Sequence, residues 1–252
     1  MSFATLVGPA RSPRQQISPC ESELLATVAH ELRNPLASLR LSLDMLVHEF
    51  DSLEPDYALR LIQRAQRSTV WLQALTNNLT SAAAIEAGRL QVESASIDLR
   101  ACIDEAIALV HALLEQRAQC VRTTTSVKSE IVNADRARVI QVIANLLSNA
   151  SRYSVDGDEI ELHVSSVGQH LRVRVTDHGP GISPEDQSRI FGAWVRGGGS
   201  APGGLGLGLS IVQDLVQQLG GRVGVESTLG DGATFWFTLP TPRGKQEGDV
   251  HP

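Results

Sequence analysis

The sequence predicts an α+β protein in which an N-terminal antiparallel helical hairpin is followed by an α/β sandwich. Two observations support this fold class. Apolar residues recur every three or four positions through the first third of the 252-residue chain, which is the period of one helix face. From about residue 96, helical stretches alternate with segments of strand-like period, as expected when helices pack on one face of a sheet.

The hairpin is predicted to consist of helices at 19–50 and 56–87, joined by a turn at 51–55. Its apolar positions follow a coiled-coil pattern: Leu25, Val28, Leu32, Leu36, Leu39, Leu43, Leu46 and Phe50 in the first helix, and Leu61, Ala65, Ser68, Leu72, Leu75, Leu79 and Ala82 in the second. One hairpin cannot bury both seams, so we predict a homodimer in which two hairpins form a four-helix bundle. Gly88 is the expected stop of the second helix.

The second part is predicted to form one mixed sheet covered by helices on one face. The expected elements are helices at 99–118, 135–152 and 207–219, a strand-like segment at 121–133, strands at 159–165, 171–177, 222–227 and 233–239, and a Gly/Pro-rich loop at 179–204. We therefore divide the chain into a flexible leader (1–18), a hairpin domain (19–90), an α/β domain (96–240) and a disordered tail (241–252).

Composition excludes several classes of protein. The net charge of -6 argues against a nucleic-acid partner, because such binding needs a basic surface. Cys20, Cys102 and Cys120 have no paired or metal-ligand spacing, which is typical of reduced thiols in a cytoplasmic protein. Neither a signal peptide nor a run of about 18 apolar residues is present. We predict a cytoplasmic chain without a membrane span. The sequence is either a fragment of a longer protein or a short protein whose input comes from a separate sensory protein, and both alternatives stay open.

The segment AHELRNPL, which begins at Ala29, has features of a reactive site. At about 100° per residue, His30 points away from the apolar seam and towards solvent. Glu31 can accept a proton from one ring nitrogen, and Asn34 lies one turn further on the same face as His30. Pro35 removes the hydrogen bond to the Glu31 carbonyl and bends the helix. The alternative is a surface histidine that is merely solvated.

This segment resembles the H-box of the dimerisation and histidine-phosphotransfer domain of sensor histidine kinases. The resemblance implies that His30 accepts a phosphoryl group and that Glu31 is its base. It also implies that Asn34 orients water when the protein acts as a phosphatase on its response regulator.

Two further groups of residues carry nucleotide-binding chemistry. Asn145 and Asn149 are four positions apart, so both amides project from one helix face, and amide oxygens suit Mg²⁺. Asp177 follows a predicted strand and can accept the amine of adenine, while Gly179 and Gly181 allow the backbone to approach the base. The alternatives are asparagines that cap a helix and an ordinary Asp-Gly turn.

A glycine-rich block precedes the last predicted helix. Gly204, Gly206 and Gly208 alternate in the sequence GGLGLGLSI, and glycines at a helix N-terminus leave N–H groups free to bind phosphate. Such loops are common, so this block alone is a weak indication. Together with the blocks NLLSNASRYS, DHGPGI and RIFGAWVRG, in that order, it resembles the N-, G1-, F- and G2-boxes of the Bergerat-type ATP-binding domain.

The resemblance assigns roles to single residues. Asn149 holds Mg²⁺, Tyr153 packs beside the adenine, and Arg152, where lysine is commoner, contacts phosphate. Arg196 either reaches the terminal phosphate or is a solvated residue of the lid. The predicted ATP-binding set is Asn145, Asn149, Arg152, Tyr153, Asp177, Gly179, Gly181, Ile182, Arg196, Gly204, Leu205, Gly206, Leu207 and Gly208.

Relatives with this ATP fold include gyrase-type and chaperone ATPases and serine kinases. The ATPases carry a glutamate four residues before the magnesium asparagine, whereas this chain has Asn145, and an amide is not a base. The serine kinases lack the H-box hairpin. A scaffold or phosphatase-only protein is the non-enzyme alternative. We therefore predict ATP-dependent autophosphorylation on His30, phosphotransfer to the aspartate of a response-regulator receiver domain, and phosphatase activity on that regulator.

Overall fold

The computed structural model describes residues 19–49, 52–192 and 206–242. The predictions for the leader, for Arg196, Gly204 and Leu205, and for the tail beyond residue 242 lie outside these ranges.

The hairpin consists of α1 (Pro19–Glu49) and α2 (Pro55–Glu86), within one residue of the predicted bounds. Pro35 lies inside α1 without ending it. At the other end of α2, Gly88 has a φ of 62°, and the Arg89 N–H donates to the Ala84 carbonyl at 2.8 Å. Left-handed glycine with a returning N–H is a common helix termination, so the predicted stop at Gly88 is confirmed.

The two helices run antiparallel, and polar contacts between them define their register. The Arg64 Nε donates to the Ser38 hydroxyl at 2.9 Å, and the Tyr57 hydroxyl lies 3.8 Å from the Met45 sulfur. Side chains of α2 that face the interior include Leu61 and Ala65, both buried.

Part of the predicted dimer seam is buried within one chain. Leu75 is only 6% exposed because it belongs to a core cluster shared with the α/β domain. The argument that Leu75 needs a second hairpin was therefore wrong. Leu43 is 47% exposed, and Leu39 and Leu72 are half-buried. Other apolar side chains that remain exposed on the hairpin are Leu36, Leu41, Val47, Leu59, Ile62 and Val70.

The second part contains seven strands and four helices within the described ranges. These are β1 (Ala95–Asp98), α3 (Leu99–Gln116), β2 (Cys120–Thr125), β3 (Ile131–Ala134), α4 (Arg136–Tyr153), β4 (Glu159–Val167), β5 (His170–Asp177), α5 (Pro184–Gln187), α6 (Gly208–Gln218), β6 (Val223–Ser227) and β7 (Ala233–Pro240).

The strands form two sheets rather than the single predicted sheet. The larger has the order β2-β4-β5-β7-β6, with β2 and β4 parallel and the other pairs antiparallel. The smaller pairs β1 with β3. The predicted strand at 121–133 is in fact two strands, β2 and β3, that belong to different sheets. The predicted loop at 179–204 contains the short helix α5.

Helices α3, α4 and α6 supply most of a core that covers one face of the larger sheet. Alternate residues of β4 and β5 are buried, as expected for strands with one covered face. Their buried side chains join those of the helices in one cluster, and Leu79 and Ala82 of α2 pack against it. The hairpin and the α/β domain therefore share an apolar contact.

Candidate nucleotide-binding site

Helix α4 carries the predicted asparagines. It begins after Asp135, whose carboxylate accepts from the Arg138 N–H at 3.2 Å, a common N-cap arrangement. Eight of its residues are buried, and they include Leu146, Leu147 and Ala150. Asn145 and Asn149 are half-buried, because they lie at the edge of the apolar face and turn towards the cavity described below.

Two side chains that the sequence did not single out anchor the end of α4. Arg117 donates to the carbonyl oxygens of Ser151 and Ser154 and pairs with Asp156. Gln119 exchanges hydrogen bonds with Ser151, accepting from its hydroxyl at 2.6 Å and donating to its carbonyl at 3.1 Å. These bonds satisfy carbonyls at the helix end and hold the turn that carries Arg152 and Tyr153.

Asp177 lies at the end of β5 with only 4% of its surface exposed. Its Oδ1 accepts from the Gly179 N–H at 3.0 Å and the Ala233 N–H at 3.3 Å. Among the hydrogen bonds of the described residues, none uses Oδ2. Burial raises the pKa of Asp177, and the two backbone hydrogen bonds oppose that rise. The carboxylate is therefore held by the backbone through one oxygen, which leaves the other for a ligand.

The turn after Asp177 has no room for larger residues. A Cβ on Gly179 would lie 2.6 Å from the Tyr153 carbonyl oxygen. Gly181 has a φ of 72°, and a side chain there would run into the carbonyl oxygen of Thr228. The next residue, Ile182, donates its N–H to the Ser227 hydroxyl at 2.8 Å. The turn is thus packed between the end of α4 and the β6–β7 hairpin.

Helix α6 begins at Gly208, directly beside the magnesium candidate. A Cβ at Gly208 would lie 4.0 Å from the Asn149 amide nitrogen. No side chain caps the first turn of α6 at Leu207, and Gly206 has a φ of 69°. Uncapped N–H groups at a helix N-terminus bind anions, so this end of α6 fits a phosphate group.

These elements border one cavity of about 1440 Å³. Ten of the residues predicted to bind ATP line it: Asn145, Asn149, Arg152, Tyr153, Asp177, Gly181, Ile182, Gly206, Leu207 and Gly208. Gly179 is buried behind Asp177. The structure therefore brings together three of the four blocks. The remaining block, RIFGAWVRG, is described only as far as Gly192. The ring of its Phe191 packs edge-on against the ring of Phe235, with 6.3 Å between the ring centroids.

Helix α2 forms the opposite wall of the cavity, which the sequence did not predict. The Asn145 amide donates to the Asn78 side chain at 3.5 Å, and the Gln141 amide donates to the Ser81 hydroxyl at 2.9 Å. The Arg152 guanidinium lies over the ring of Trp71 at 4.7 Å from its centroid. The sequence signal for this wall was a stripe of polar and aromatic residues on α2, in which Trp71, Asn78 and Ser81 follow one another at spacings of seven and three.

The phosphoacceptor candidates lie on α1, outside the cavity lining. His30 and Asn34 are exposed, as their helical phase predicted. Glu31 is only 7% exposed, whereas its neighbour His30 is exposed to solvent. The catalytic roles of these three residues stay predictions.

The donor set fits a Mg²⁺ ion that is shared with a nucleotide. Within residues 19–49, 52–192 and 206–242, no group of three or more His, Cys, Asp or Glu side chains could hold a metal ion. The Asn149 amide beside the N-terminus of α6 is an oxygen ligand of the kind that Mg²⁺ accepts together with phosphate oxygens and water.

Comparison with known families agrees with this architecture. The family model for the histidine kinase-, DNA gyrase B- and HSP90-like ATPases matches residues 134–243 of this chain. The fold and the cavity thus define a nucleotide-binding domain of that class. The His Kinase A (phospho-acceptor) domain matches residues 21–88. Because the two domains follow one another in one chain, this chain belongs to the sensor histidine kinases and contains their catalytic core.

Individual relatives support the same assignment. The chain is 32% identical over 227 residues to the adaptive-response sensory kinase SasA of Thermosynechococcus vestitus, with 87% of this chain and 60% of that protein covered. The structure of full-length ShkA in complex with AMPPNP has a TM-score of 0.60 and 29% identity, with coverage of 86% and 45%. The chain thus spans at most about three fifths of these relatives.

A third similarity concerns the fold alone. The histidine kinase ThkA, solved in complex with the response regulator protein TrrA, has a TM-score of 0.57 and 24% identity, with 87% of this chain and 61% of that chain covered.

Across the helices that the structure describes, none is long and apolar enough to cross a membrane.

Proposed function

We propose that this chain binds ATP with Mg²⁺, phosphorylates its own His30 and transfers the phosphoryl group to an aspartate of a response-regulator receiver domain. The observation that carries the proposal is the single cavity in which Asn149, Asp177 and the N-terminus of α6 meet, walled by the hairpin whose other helix bears the exposed His30.

The residues divide the chemistry between them. Oδ2 of Asp177 accepts the exocyclic amine of adenine, and Tyr153, 40% exposed at the rim, packs beside the base. Arg152 and the free N–H groups at Gly208 bind the phosphates. Asn149 would hold a Mg²⁺ ion, which would supply neutralisation of phosphate charge, a principal contribution to phosphoryl transfer.

In the first step a ring nitrogen of His30 forms a bond to the γ-phosphorus, and the bond from that phosphorus to the β–γ bridging oxygen breaks. ADP leaves with the electron pair of that bond. Glu31 takes the proton from the other ring nitrogen.

Phosphotransfer follows when a carboxylate oxygen of a receiver aspartate forms a bond to the phosphorus of phospho-His30, the N–P bond breaks and the imidazole leaves with its electron pair. This partnership is supported by family membership. We also propose that Asn34 orients water for dephosphorylation of the regulator, because its amide shares the exposed face of His30. A homodimer through the hairpin is supported by the exposed apolar side chains of α1 and α2 and by the match to the phospho-acceptor domain.

Hydrolysis of ATP as the main activity is disfavoured by Asn145. A hydrolase of this fold needs a base at that position, and here an amide lies 3.5 Å from a second amide, that of Asn78. Neither amide can remove a proton from water.

The proposal is tested by incubation with γ-labelled ATP and Mg²⁺. We expect label on the protein that is labile in acid and stable in base, and its loss in His30→Gln with nearly unchanged ATP affinity. His48→Gln is the matched control, because His48 is an exposed histidine on the same helix. Stoichiometric labelling of His30→Gln, or steady release of phosphate without label, would overturn the assignment.

A further inference from the structure

The contact between Trp71 and Arg152 joins the hairpin to the nucleotide cavity. Trp71 lies on α2 and Arg152 on α4, and both line the cavity that also contains Asn149 and Asp177. The guanidinium carbon is 4.7 Å from the centroid of the indole ring, within the range of a cation–π interaction. The residue proposed to bind phosphate is therefore held by a side chain of the other domain.

This stacking is compatible with phosphate binding. The N–H donors of a guanidinium lie in its plane, so stacking through its face does not cover the edge that carries these donors. Stacking also restricts the rotation of a long and flexible side chain. A donor that is ordered before the ligand arrives loses less entropy when the ligand binds. Trp71 thus presents Arg152 to the cavity rather than hiding it.

Neighbouring contacts fix Trp71 in this position. Asn78 and Ser81 of α2, seven and ten residues after Trp71, form hydrogen bonds with Asn145 and Gln141 of α4. The register set by the contacts Arg64–Ser38 and Tyr57–Met45 continues to Trp71 opposite Glu31. The stacked pair is therefore at the level of His30 in the hairpin.

We propose that Trp71 is a positioning residue for ATP, which acts through Arg152 to align the phosphate end of the nucleotide when the ATP-binding domain is docked on the hairpin. This inference rests on the proposed function, because it takes Arg152 as a phosphate ligand. Linkage requires the converse effect, so bound ATP strengthens docking of the hairpin by the same factor.

The test measures the affinity of the whole chain for ATP, ADP and adenosine by titration calorimetry. Trp71→Leu is expected to bind ATP and ADP about two- to fivefold more weakly, the size of one partly exposed cation–π contact. Adenosine has no phosphate, so its affinity is expected to stay unchanged. Trp71→Tyr keeps an aromatic face and is expected to restore most of the loss.

The chain offers a matched control. Trp236 is stacked with Arg172 at 4.5 Å, but it alternates along β7 with the buried Phe235 and Phe237 and so lies on the face of the sheet away from the helices. Trp236→Leu removes the same type of contact and is expected to leave all three affinities unchanged.

A double-mutant cycle separates positioning from general packing. In an Arg152→Gln background, Trp71→Leu is expected to cause no further loss of ATP affinity. If Trp71→Leu does not fold, as judged by circular dichroism, Trp71→Met removes the ring while keeping an apolar side chain of considerable length.

Three results would overturn the inference: unchanged affinity for ATP, tighter binding of ATP, which would mean that Trp71 withholds Arg152, or an equal loss for adenosine, which would mean a structural role. Failure of folded wild type to bind ATP and ADP at all would instead refute the proposed function.

Discussion

Asp177→Asn separates recognition of adenine from folding. The asparagine side chain has the same shape as that of aspartate. In the wild type two backbone N–H groups, from Gly179 and Ala233, donate to Oδ1 of Asp177. The amide oxygen must occupy the Oδ1 position to keep these hydrogen bonds. The amide NH₂ group then takes the place of Oδ2 and faces the nucleotide.

The size of the effect follows from the burial of this group. In the variant the NH₂ group meets the exocyclic amine of adenine, so two donors face each other. A buried donor without an acceptor costs about 1–3 kcal/mol, which corresponds to a loss of ATP affinity of about 5- to 140-fold.

Unlike the ATP affinity, the stability of Asp177→Asn in the absence of nucleotide is not expected to fall below that of the wild type. Burial raises the pKa of Asp177 above its ordinary value of 3.8, in spite of the opposing backbone hydrogen bonds. The folded state therefore binds this proton more tightly than the unfolded state, so stability falls as pH rises from 3.8 through the raised value. At pH 7 the variant has no charge to bury, and without nucleotide it is expected to melt no lower than the wild type.

The assay combines calorimetric titration of ATP with thermal melting in the absence of nucleotide. The ATP affinity of the wild type is expected to weaken as the solution is acidified through the pKa of Asp177, whereas the variant lacks this dependence. Asp214→Asn is the control, because burial also raises the pKa of Asp214 and Asp214 does not line the cavity. Wild-type ATP affinity in Asp177→Asn would refute the adenine role.

Three other predictions concern separate steps. Asn149→Ala is expected to lose Mg²⁺-dependent autophosphorylation, and an unaltered rate at saturating Mg²⁺ would show that another group holds the metal. Asn34→Ala is expected to slow dephosphorylation of the purified regulator in the presence of ADP while autophosphorylation continues; equal dephosphorylation rates would exclude it from that step. The double substitution Leu43→Glu and Val47→Glu places charges on exposed apolar positions of α1, and sedimentation is expected to show a monomer where the wild type is a dimer.

Much of the fold could be predicted because its signals are local. The bounds of α1 and α2 follow from helical periodicity and from breaks at Pro55 and Gly88, and the structure departs from them by one residue. The small sheet could not be predicted. Its strands β1 and β3 have four residues each and are separated in the sequence by α3 and β2, and such distant pairing leaves little trace in a short segment.

The site shows the same division. Asn149, Asp177 and Gly208, which the structure brings to one cavity, were predicted from short sequence blocks, because their proposed roles depend on local backbone geometry. The contact of Trp71 with Arg152 depends on how two helices from different domains pack. The spacing of residues on α2 indicates a second contact face but does not identify Arg152 as its partner, so the structure was needed to reveal the pairing.

Helix α2 also imposes a constraint of rotational phase. Leu61, Ala65 and Ser68 form one buried stripe, whereas Trp71 and Asn78 form a second stripe that faces α4, rotated from the first by roughly 100° at 100° per residue. One residue inserted between the stripes would turn the second stripe, and the α/β domain that follows α2 in the chain, by about 100° relative to the first stripe. The nucleotide cavity would then have a different orientation relative to α1 and His30. Seven inserted residues would turn it by only about 20°, so a change of length by a heptad nearly preserves this rotational phase.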